Sequence, residues 1–178
     1  MSLKPVIQAV GAVILAAFAL SAVAQQPATP PANPMDVVPD KMPNDIPYGA
    51  PISLERADAA LSAALGESTK RGWKLNCAVV DSGANLVSFK RQDGAQLASI
   101  AISEHKARTA AKFRRETKVF EGGIQAGNNY LLTLDDVIGS RGGVLLIEGG
   151  KIIGAIGCSG GTGSQDEVAS KAGAATVK

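Results

Sequence analysis

Hydrophobic and polar positions recur along the chain after residue 52 in a pattern that predicts three helices and two hairpins. The first helix is expected to begin after Ser53, a good N-cap residue, and to end near Gly72, because glycine suits a helix C-terminus. Its apolar positions follow helical spacing at Leu54, Ala57, Leu61, Ala64 and Leu65. The domain therefore opens with an amphipathic helix.

Both hairpins are predicted from apolar runs that are interrupted by short turns containing glycine. The strands are expected over residues 75–81 and 86–91 in the first hairpin and over 144–148 and 151–158 in the second. The turn of the second hairpin is Gly149-Gly150, a dipeptide that adopts the positive φ values of tight turns. If the inner strands of the hairpins pair, Cys77 and Cys158 lie in central strands.

Two further helices complete the pattern, one from about Gln96 to Arg115 and one from about Gln165 to Ala175. Residues 116–129 carry no clear periodicity. Hairpins that are separated and flanked by helices indicate an antiparallel sheet covered by helices, which is an α+β fold. The absence of a strand-helix-strand alternation gives no support to a Rossmann fold.

The first 24 residues have the features of a secretory signal peptide. One positive charge, Lys4, precedes an apolar run, and small residues at Ala22 and Ala24 form an A-x-A cleavage site. The alternative is a retained membrane anchor, but no basic cluster follows the run. We expect export with cleavage, and hence a periplasmic or secreted protein.

Residues 25–51 are predicted to form a proline-rich tether, and residues 52–178 the folded domain. Eight of the nine prolines fall between Pro27 and Pro51. The tether is expected to pack against the domain or a neighbouring subunit near Ile46 and Tyr48, with plain disorder favoured for its first half.

Charge and cysteine content exclude several classes of protein. The chain has 18 basic and 16 acidic residues, so removal of Lys4 with the leader leaves 17 against 16. A nearly neutral domain has no basic stripe for nucleic acid or an anionic membrane surface. Two cysteines are too few for a disulfide framework or a structural zinc site, and a single disulfide or two buried thiols both stay open.

Several ordered motifs resemble the GlcG/HbpS-like family, and the resemblance spans residue 52 to the C-terminus. The residues that carry it are Ala78-Val79-Val80-Asp81, Gly83, Leu86-Val87, Asp93-Gly94, Lys106-Ala107-Arg108-Thr109-Ala110-Ala111, Gly142-Gly143, the run from Gly154 to Gly161, and Gln165-Asp166-Glu167. The C-terminal domain of PduO-type corrinoid adenosyltransferases is similar. The resemblance implies a profilin-like α/β/α layered domain with a sheet of four or five antiparallel strands. It also implies a homo-oligomer and, in some members, haem binding or haem degradation.

His105 is the histidine that the sequence offers to haem iron, because the chain contains one histidine. The alternative is a solvated histidine between Glu104 and Lys106. On the same predicted helix, Lys106 is expected to neutralise a haem propionate and Thr109 to hydrogen-bond to the ligand. Arg141, beside Gly142-Gly143, is a further candidate for a propionate.

The glycine-rich bend after the last strand allows two interpretations. Ser159, Gly160 and Gly161 precede a helix, so their backbone N–H groups could bind a carboxylate. Alternatively the glycines permit close packing and Ser164 caps the helix, with acidic residues in its first turn. Both interpretations stay open from the sequence.

The sequence thus predicts an exported homo-oligomer that binds haem or another planar carboxylated molecule between the second helix and the glycine-rich bend. No catalytic residue is assigned, because the sequence has no nucleophile elbow, second histidine or paired metal ligands. The alternatives are a protein or enzyme that handles a small organic acid without haem, and an accessory subunit of a membrane sensor or periplasmic oxidase. Scarce aromatic residues favour a surface or interface site over a deep pocket.

Overall fold

The computed structural model describes residues 37–177, and the predicted signal peptide and the first part of the proline-rich tether lie outside that range. The chain divides into two units, Met1–Asp40, of which residues 37–40 are described, and Lys41–Lys178, which contains the folded domain. Within the described residues, no helix is both long and apolar enough to cross a membrane.

Four antiparallel strands and four helices form the domain. In chain order they are α1 (Leu54–Lys70), β1 (Asn76–Asp81), β2 (Leu86–Arg91), α2 (Ser99–Phe113), α3 (Lys118–Gln125), β3 (Gly143–Glu148), β4 (Lys151–Ser159) and α4 (Gly163–Ala174), with a 3₁₀-helix at Asn129–Thr133 between α3 and β3. The strand order is β2-β1-β4-β3, so the inner strands of the two hairpins pair in the centre of the sheet. The predicted α+β class is confirmed, with four strands.

Side chains on opposite faces of the sheet form two apolar layers. Cys77, Val79 and Ile156 point into a layer shared with α1 and α4, whereas Val80 and Ala155 point into a layer shared with α2. Because neighbouring strand residues face opposite sides, this alternation places helices on both faces. The result is the α/β/α arrangement that the family resemblance implied.

The ends of the helices differ in part from the predictions. The Ser53 hydroxyl caps α1 as expected, by accepting from the Arg56 N–H at 3.4 Å. The cap of α4 is Thr162 rather than Ser164, because Thr162 and Gln165 form a reciprocal capping box. Helix α3 lies where the sequence had no clear pattern, and it buries one residue, Phe120.

The last residues of the proline-rich segment lie along the beginning of β4. The N–H of Ile152 donates to the Pro47 carbonyl at 2.8 Å, and the Gly49 N–H donates to the Ile152 carbonyl at 2.8 Å. The Tyr48 hydroxyl donates to the carbonyl of Ala111 in α2 at 2.9 Å. This part of the segment is therefore held by the sheet and by α2.

Candidate functional site

Lys106 projects from α2 into the protein and forms a buried ion pair with Asp166 of α4. Its Nζ lies 2.8 Å from Asp166 Oδ2, and the two side chains are 2 % and 3 % exposed. A charged group that has lost its water must be compensated by a partner of opposite charge. A ligand carboxylate would have to displace Asp166 to reach this ammonium.

The glycine-rich bend uses its N–H groups within the protein. The second oxygen of Asp166 accepts from the Gly161 N–H at 3.0 Å. The Thr162 N–H donates to the Gln165 side chain at 2.8 Å. These bonds engage two N–H groups of the bend, and the predicted contact of Ser159, Gly160 and Gly161 with a ligand stays a prediction. An anion at this place would compete with Asp166 and Gln165 for the same donors.

Ser159 and Thr109 are also buried and bonded to protein groups. The Ser159 hydroxyl lies 3.0 Å from that of Ser99, at the start of α2. The Thr109 hydroxyl donates to the Asp136 carbonyl at 2.5 Å. Both side chains thus connect α2 to its neighbours, and their predicted contact with a ligand stays a prediction.

Arg141 lies beside the start of α4, where a Cβ at Gly163 would be 2.8 Å from its Cγ, and it connects α3 to α4. Its Nε is 2.7 Å from a Glu121 carboxylate oxygen, and its Nη1 is 3.7 Å from Glu167. The side chain is 33 % exposed, so one edge of the guanidinium is accessible to solvent. Arg141 therefore has carboxylate partners in the protein before any ligand arrives.

His105 is half-buried on the outer part of α2, one residue before Lys106. Within the described residues no hydrogen bond or ion pair engages its imidazole, which leaves both ring nitrogens available. The hydrogen bond from Lys112 is the largest cause that lowers the pKa of the nearby Asp136 carboxyl; burial opposes it, and the electrostatic effects of Lys112, His105 and Arg108 add to the lowering. His105 therefore lies among charges at the surface, with cations beside it.

The predicted site residues do not form one cavity. Lys106, Ser159, Gly160 and Gly161 lie together at the junction of α2, β4 and α4. Arg141 borders this junction, because a Cβ at the adjacent Gly142 would lie 3.2 Å from Lys106 Nζ, whereas His105 is half-buried on α2 and has no bond to any of these residues. In residues 37–177 no group of three or more His, Cys, Asp or Glu side chains is arranged to hold a metal ion. The predicted recess is occupied by the Lys106–Asp166 pair.

Two surface depressions lie elsewhere on the domain. One, of about 460 Å³, is at the end of α1 and includes Trp73, Lys74 and Arg91 in its lining. The other, of about 360 Å³, lies beside β3 and includes Arg114 and Leu145. Neither has a predicted site residue in its lining, so the described surface offers ligand-sized spaces that the sequence motifs did not indicate.

Sequence reasoning missed Asp166 as the partner of Lys106. A signal was present, because the buried residues of α4 are Asp166, Ala169, Ser170 and Gly173, which recur at helical spacing. An acidic residue on the apolar side of a helix requires a buried cation or hydrogen-bond donor. The pattern therefore could have paired Asp166 with the lysine of α2.

Comparison with known proteins gives one family and several relatives. The model of the HbpS-like family, which is described as haem degrading protein HbpS-like, matches residues 52–175. Protein GlcG of Escherichia coli K12 is 39 % identical over 108 residues, which cover 61 % of this chain and 81 % of GlcG. A double variant of HbpS from Streptomyces reticuli superposes with a TM-score of 0.69 at 27 % identity, covering 85 % of this chain and 99 % of that one.

A third relative is a structure of PduOC in complex with haem. It has a TM-score of 0.66 at 22 % identity and covers 72 % of this chain and 96 % of that chain. At this identity the likeness shows a shared fold. The fold that carries haem in that complex is therefore the fold of this domain.

Proposed function

Because the chain belongs to the HbpS-like family, we propose that it is an exported homo-oligomer that binds haem. The observation that carries the proposal is the family match over residues 52–175. The haem complex of PduOC supports it, since that protein shares the fold. Haem breakdown in this protein would draw its redox chemistry from the iron of the bound group.

The residues of α2 are compatible with haem at the protein surface. His105 offers an unengaged imidazole, and a neutral ring nitrogen is an ordinary axial ligand of haem iron. Arg108 and Lys112 lie on the same helix as His105 and are ion-paired with Glu104 and Asp136, so a propionate would have to share or displace those carboxylates. We propose His105 as the iron ligand, with Lys106 positioning α2 rather than contacting the ligand.

The Cys77–Cys158 disulfide supports the proposal of export. Disulfides form and persist in oxidising compartments and are rare in reducing ones. An exported protein requires the leader that the sequence predicts over residues 1–24. We therefore propose a periplasmic or secreted location.

Haemin titration of the purified protein tests the proposed function. The full chain is expressed with its own leader and purified from the exported fraction. We expect its N-terminus at Gln25, and light scattering should give the mass of several subunits.

Addition of haemin should give a sharp Soret shift that saturates at about one haem per chain. His105→Ala should weaken binding by about tenfold or more, because it removes the axial ligand, and free imidazole should restore the spectrum.

The control is that His105→Ala still folds, so its far-UV circular dichroism spectrum should match that of the unaltered protein. A saturable Soret shift that His105→Ala leaves unchanged would refute the iron ligand but support haem binding. The absence of any shift would refute haem binding and favour the small organic acid or the accessory-subunit alternative. Co-purification with a membrane-associated protein would then distinguish the accessory subunit.

A further inference from the structure

The depression at the end of α1 has the size of a small-molecule site. Its volume is about 460 Å³, within the range of roughly 300–1,000 Å³ that is usual for ligand pockets. Trp73 and Lys74 follow α1, and Arg91, Gln92 and Asp93 come from the end of β2 and the turn after it. Consecutive residues of two segments therefore meet at one place on the surface.

Charge distinguishes this depression from the one beside β3. Lys74 and Arg91 are exposed cations with no carboxylate at ion-pair distance within the described residues, and Asp93 is the single acidic residue of the lining. In the other depression Arg114 and Lys118 are ion-paired with protein carboxylates, and Arg115 is the one lining cation without such a partner within the described residues. The depression at the end of α1 thus has two cations without an ion-pair partner, and Asp93 leaves its lining with one net positive charge.

Of the other polar side chains of the depression, Gln92 and Thr69 are hydrogen-bonded within the protein, whereas the Asp93 carboxylate is exposed. The Gln92 side-chain oxygen accepts from the Leu75 N–H at 2.7 Å and from the Ser68 hydroxyl at 2.9 Å. The Gln92 amide nitrogen donates to the Thr69 hydroxyl at 2.8 Å. A ligand would therefore find its polar partners in the two cations and not in the floor.

The negative end of the α1 dipole is partly compensated here, because two of its last four carbonyls have hydrogen-bond partners. The Ser68 carbonyl accepts from the Trp73 N–H at 2.9 Å, and the Thr69 carbonyl accepts from the Gly72 N–H at 3.0 Å. The two cations must therefore outweigh the remaining negative charge of the helix end for an anion to bind.

Trp73 provides a flat apolar wall. It is half-buried and is the one tryptophan of the chain. The Arg71 guanidinium lies over its ring, 5.2 Å from the centroid, so a ligand would contact the part of the indole that Arg71 leaves uncovered. Indole surfaces also stack against aromatic rings in offset geometry.

The Lys74 side chain lies against the turn that contains Gly94. A Cβ at Gly94 would lie 3.1 Å from Lys74 Nζ, and the φ of +74° at this position favours glycine. Lys74 is exposed, and no hydrogen bond or ion pair within the described residues engages its ammonium, which is therefore accessible to an anion.

We infer that this depression binds a planar aromatic carboxylate, with the ring beside Trp73 and the carboxylate at Lys74 and Arg91. The ligand class follows from the indole wall and the two uncompensated cations. A small aromatic acid and a porphyrin with propionate groups share this chemistry. The site does not involve His105 and needs no iron, so it is independent of the proposed haem ligation.

The indole N–H resonance of Trp73 reports binding directly, since a single tryptophan gives a single indole cross-peak in a ¹H–¹⁵N spectrum. The purified full-chain product is titrated with 2-naphthoate, with its neutral analogue 2-naphthamide, and with iron-free protoporphyrin IX. We expect 2-naphthoate to shift the cross-peak in a saturable way and 2-naphthamide to bind at least about fivefold more weakly. The double variant Lys74→Gln with Arg91→Gln should weaken carboxylate binding about tenfold, because two exposed ion pairs are lost.

Lys118→Gln is the matched control, because it removes a cation from the other depression and should leave the titration unchanged. Saturation by protoporphyrin alone, with the same dependence on Lys74 and Arg91, would support the site and identify a tetrapyrrole as its ligand. Equal binding of the acid and the amide, or affinity that the double variant does not change, would overturn the inference. Haemin binding through His105 would be unaffected by that result.

Discussion

The ion pair between Lys106 and Asp166 is the residue-scale feature that connects α2 to α4. Both side chains are almost fully buried, and Asp166 also accepts from the Gly161 N–H. Two desolvated charges contribute little net stability as a pair, yet either one left alone is costly. The pair therefore specifies how α2, α4 and the glycine-rich bend fit together.

Lys106→Met should destabilise the protein by about 3–5 kcal/mol, because it leaves the Asp166 carboxylate buried without its cation. The double variant Lys106→Met with Asp166→Asn should lose less than the sum of the single variants, since no buried charge is left. Urea unfolding at one protein concentration, followed by circular dichroism, gives the free energies of unfolding. Lys118→Met is the control: its side chain is 43 % exposed, and its loss should cost less than about 1 kcal/mol. If Lys106→Met also lowered the free energy of unfolding by less than about 1 kcal/mol, the role of the ion pair in joining α2 to α4 would be contradicted.

The packing of α2 against the sheet is the main contact at the scale of the elements. A Cβ at Gly157 of β4 would lie 2.2 Å from the Ser103 carbonyl oxygen and 2.5 Å from the Ala107 nitrogen, both in α2. The facing side of α2 is built from small residues, with Ala107, Ala110 and Ala111 fully buried. Glycine and alanine thus let the helix backbone approach the strand closely.

Gly157→Ala should destabilise the protein by about 1–3 kcal/mol, because the new methyl group forces α2 away from β4. Gly66→Ala is the opposite case: Gly66 lies inside α1, and a Cβ added there would meet no atom of a neighbouring element within 4 Å. That substitution should stabilise the helix by about 0.5–1 kcal/mol. Thermal and urea unfolding of both variants measure the difference, and a neutral Gly157→Ala would show that the helix can shift without cost.

The Cys77–Cys158 disulfide acts on the whole molecule, because it joins the two hairpins across the central strand pair. The two residues face each other in the β1–β4 register, and they are 81 residues apart in the chain. Both are fully buried. A cross-link over so long a loop restricts the unfolded chain strongly.

Replacement of both cysteines by alanine should lower the free energy of unfolding by about 4 kcal/mol, because the unfolded chain regains its loop entropy. The unfolding midpoint in urea is measured with and without a thiol reductant. Reductant should bring the unaltered protein towards the double variant and should leave the double variant unchanged. Equal midpoints for the unaltered protein under the two conditions, together with no loss in the variant, would show that the cross-link is not a determinant of stability.

Much of the fold could be predicted from local patterns. The Ser53 cap, the period of α1 and the Gly149-Gly150 turn each depend on residues close in sequence, and each is present in the structure. Helix α3 could not be predicted, because it spans eight residues and contains Gly122-Gly123, so its helix propensity is weak and its few apolar positions are too short a run to establish a helical period.

The environment of the candidate site residues could be predicted only in part. The motif that contains Lys106 indicated an important position, but its charge suggested an exposed lysine facing a ligand. Burial against Asp166 depends on α4, which lies 60 residues later in the chain. The depression at Trp73 likewise requires the end of α1 to meet the end of β2, which no local pattern specifies.

By itself the sequence determined three of the four helices, both hairpins, the α+β class and the family, because helical and strand periods and ordered glycine motifs are recorded in neighbouring residues. Tertiary structure alone decided that Cys77 bonds to Cys158, that Lys106 pairs with Asp166, and that Lys74 and Arg91 meet beside Trp73. The physical reason is that burial and charge compensation are properties of residues brought together by chain folding, and the partners in these contacts are separated by 17 to 81 positions.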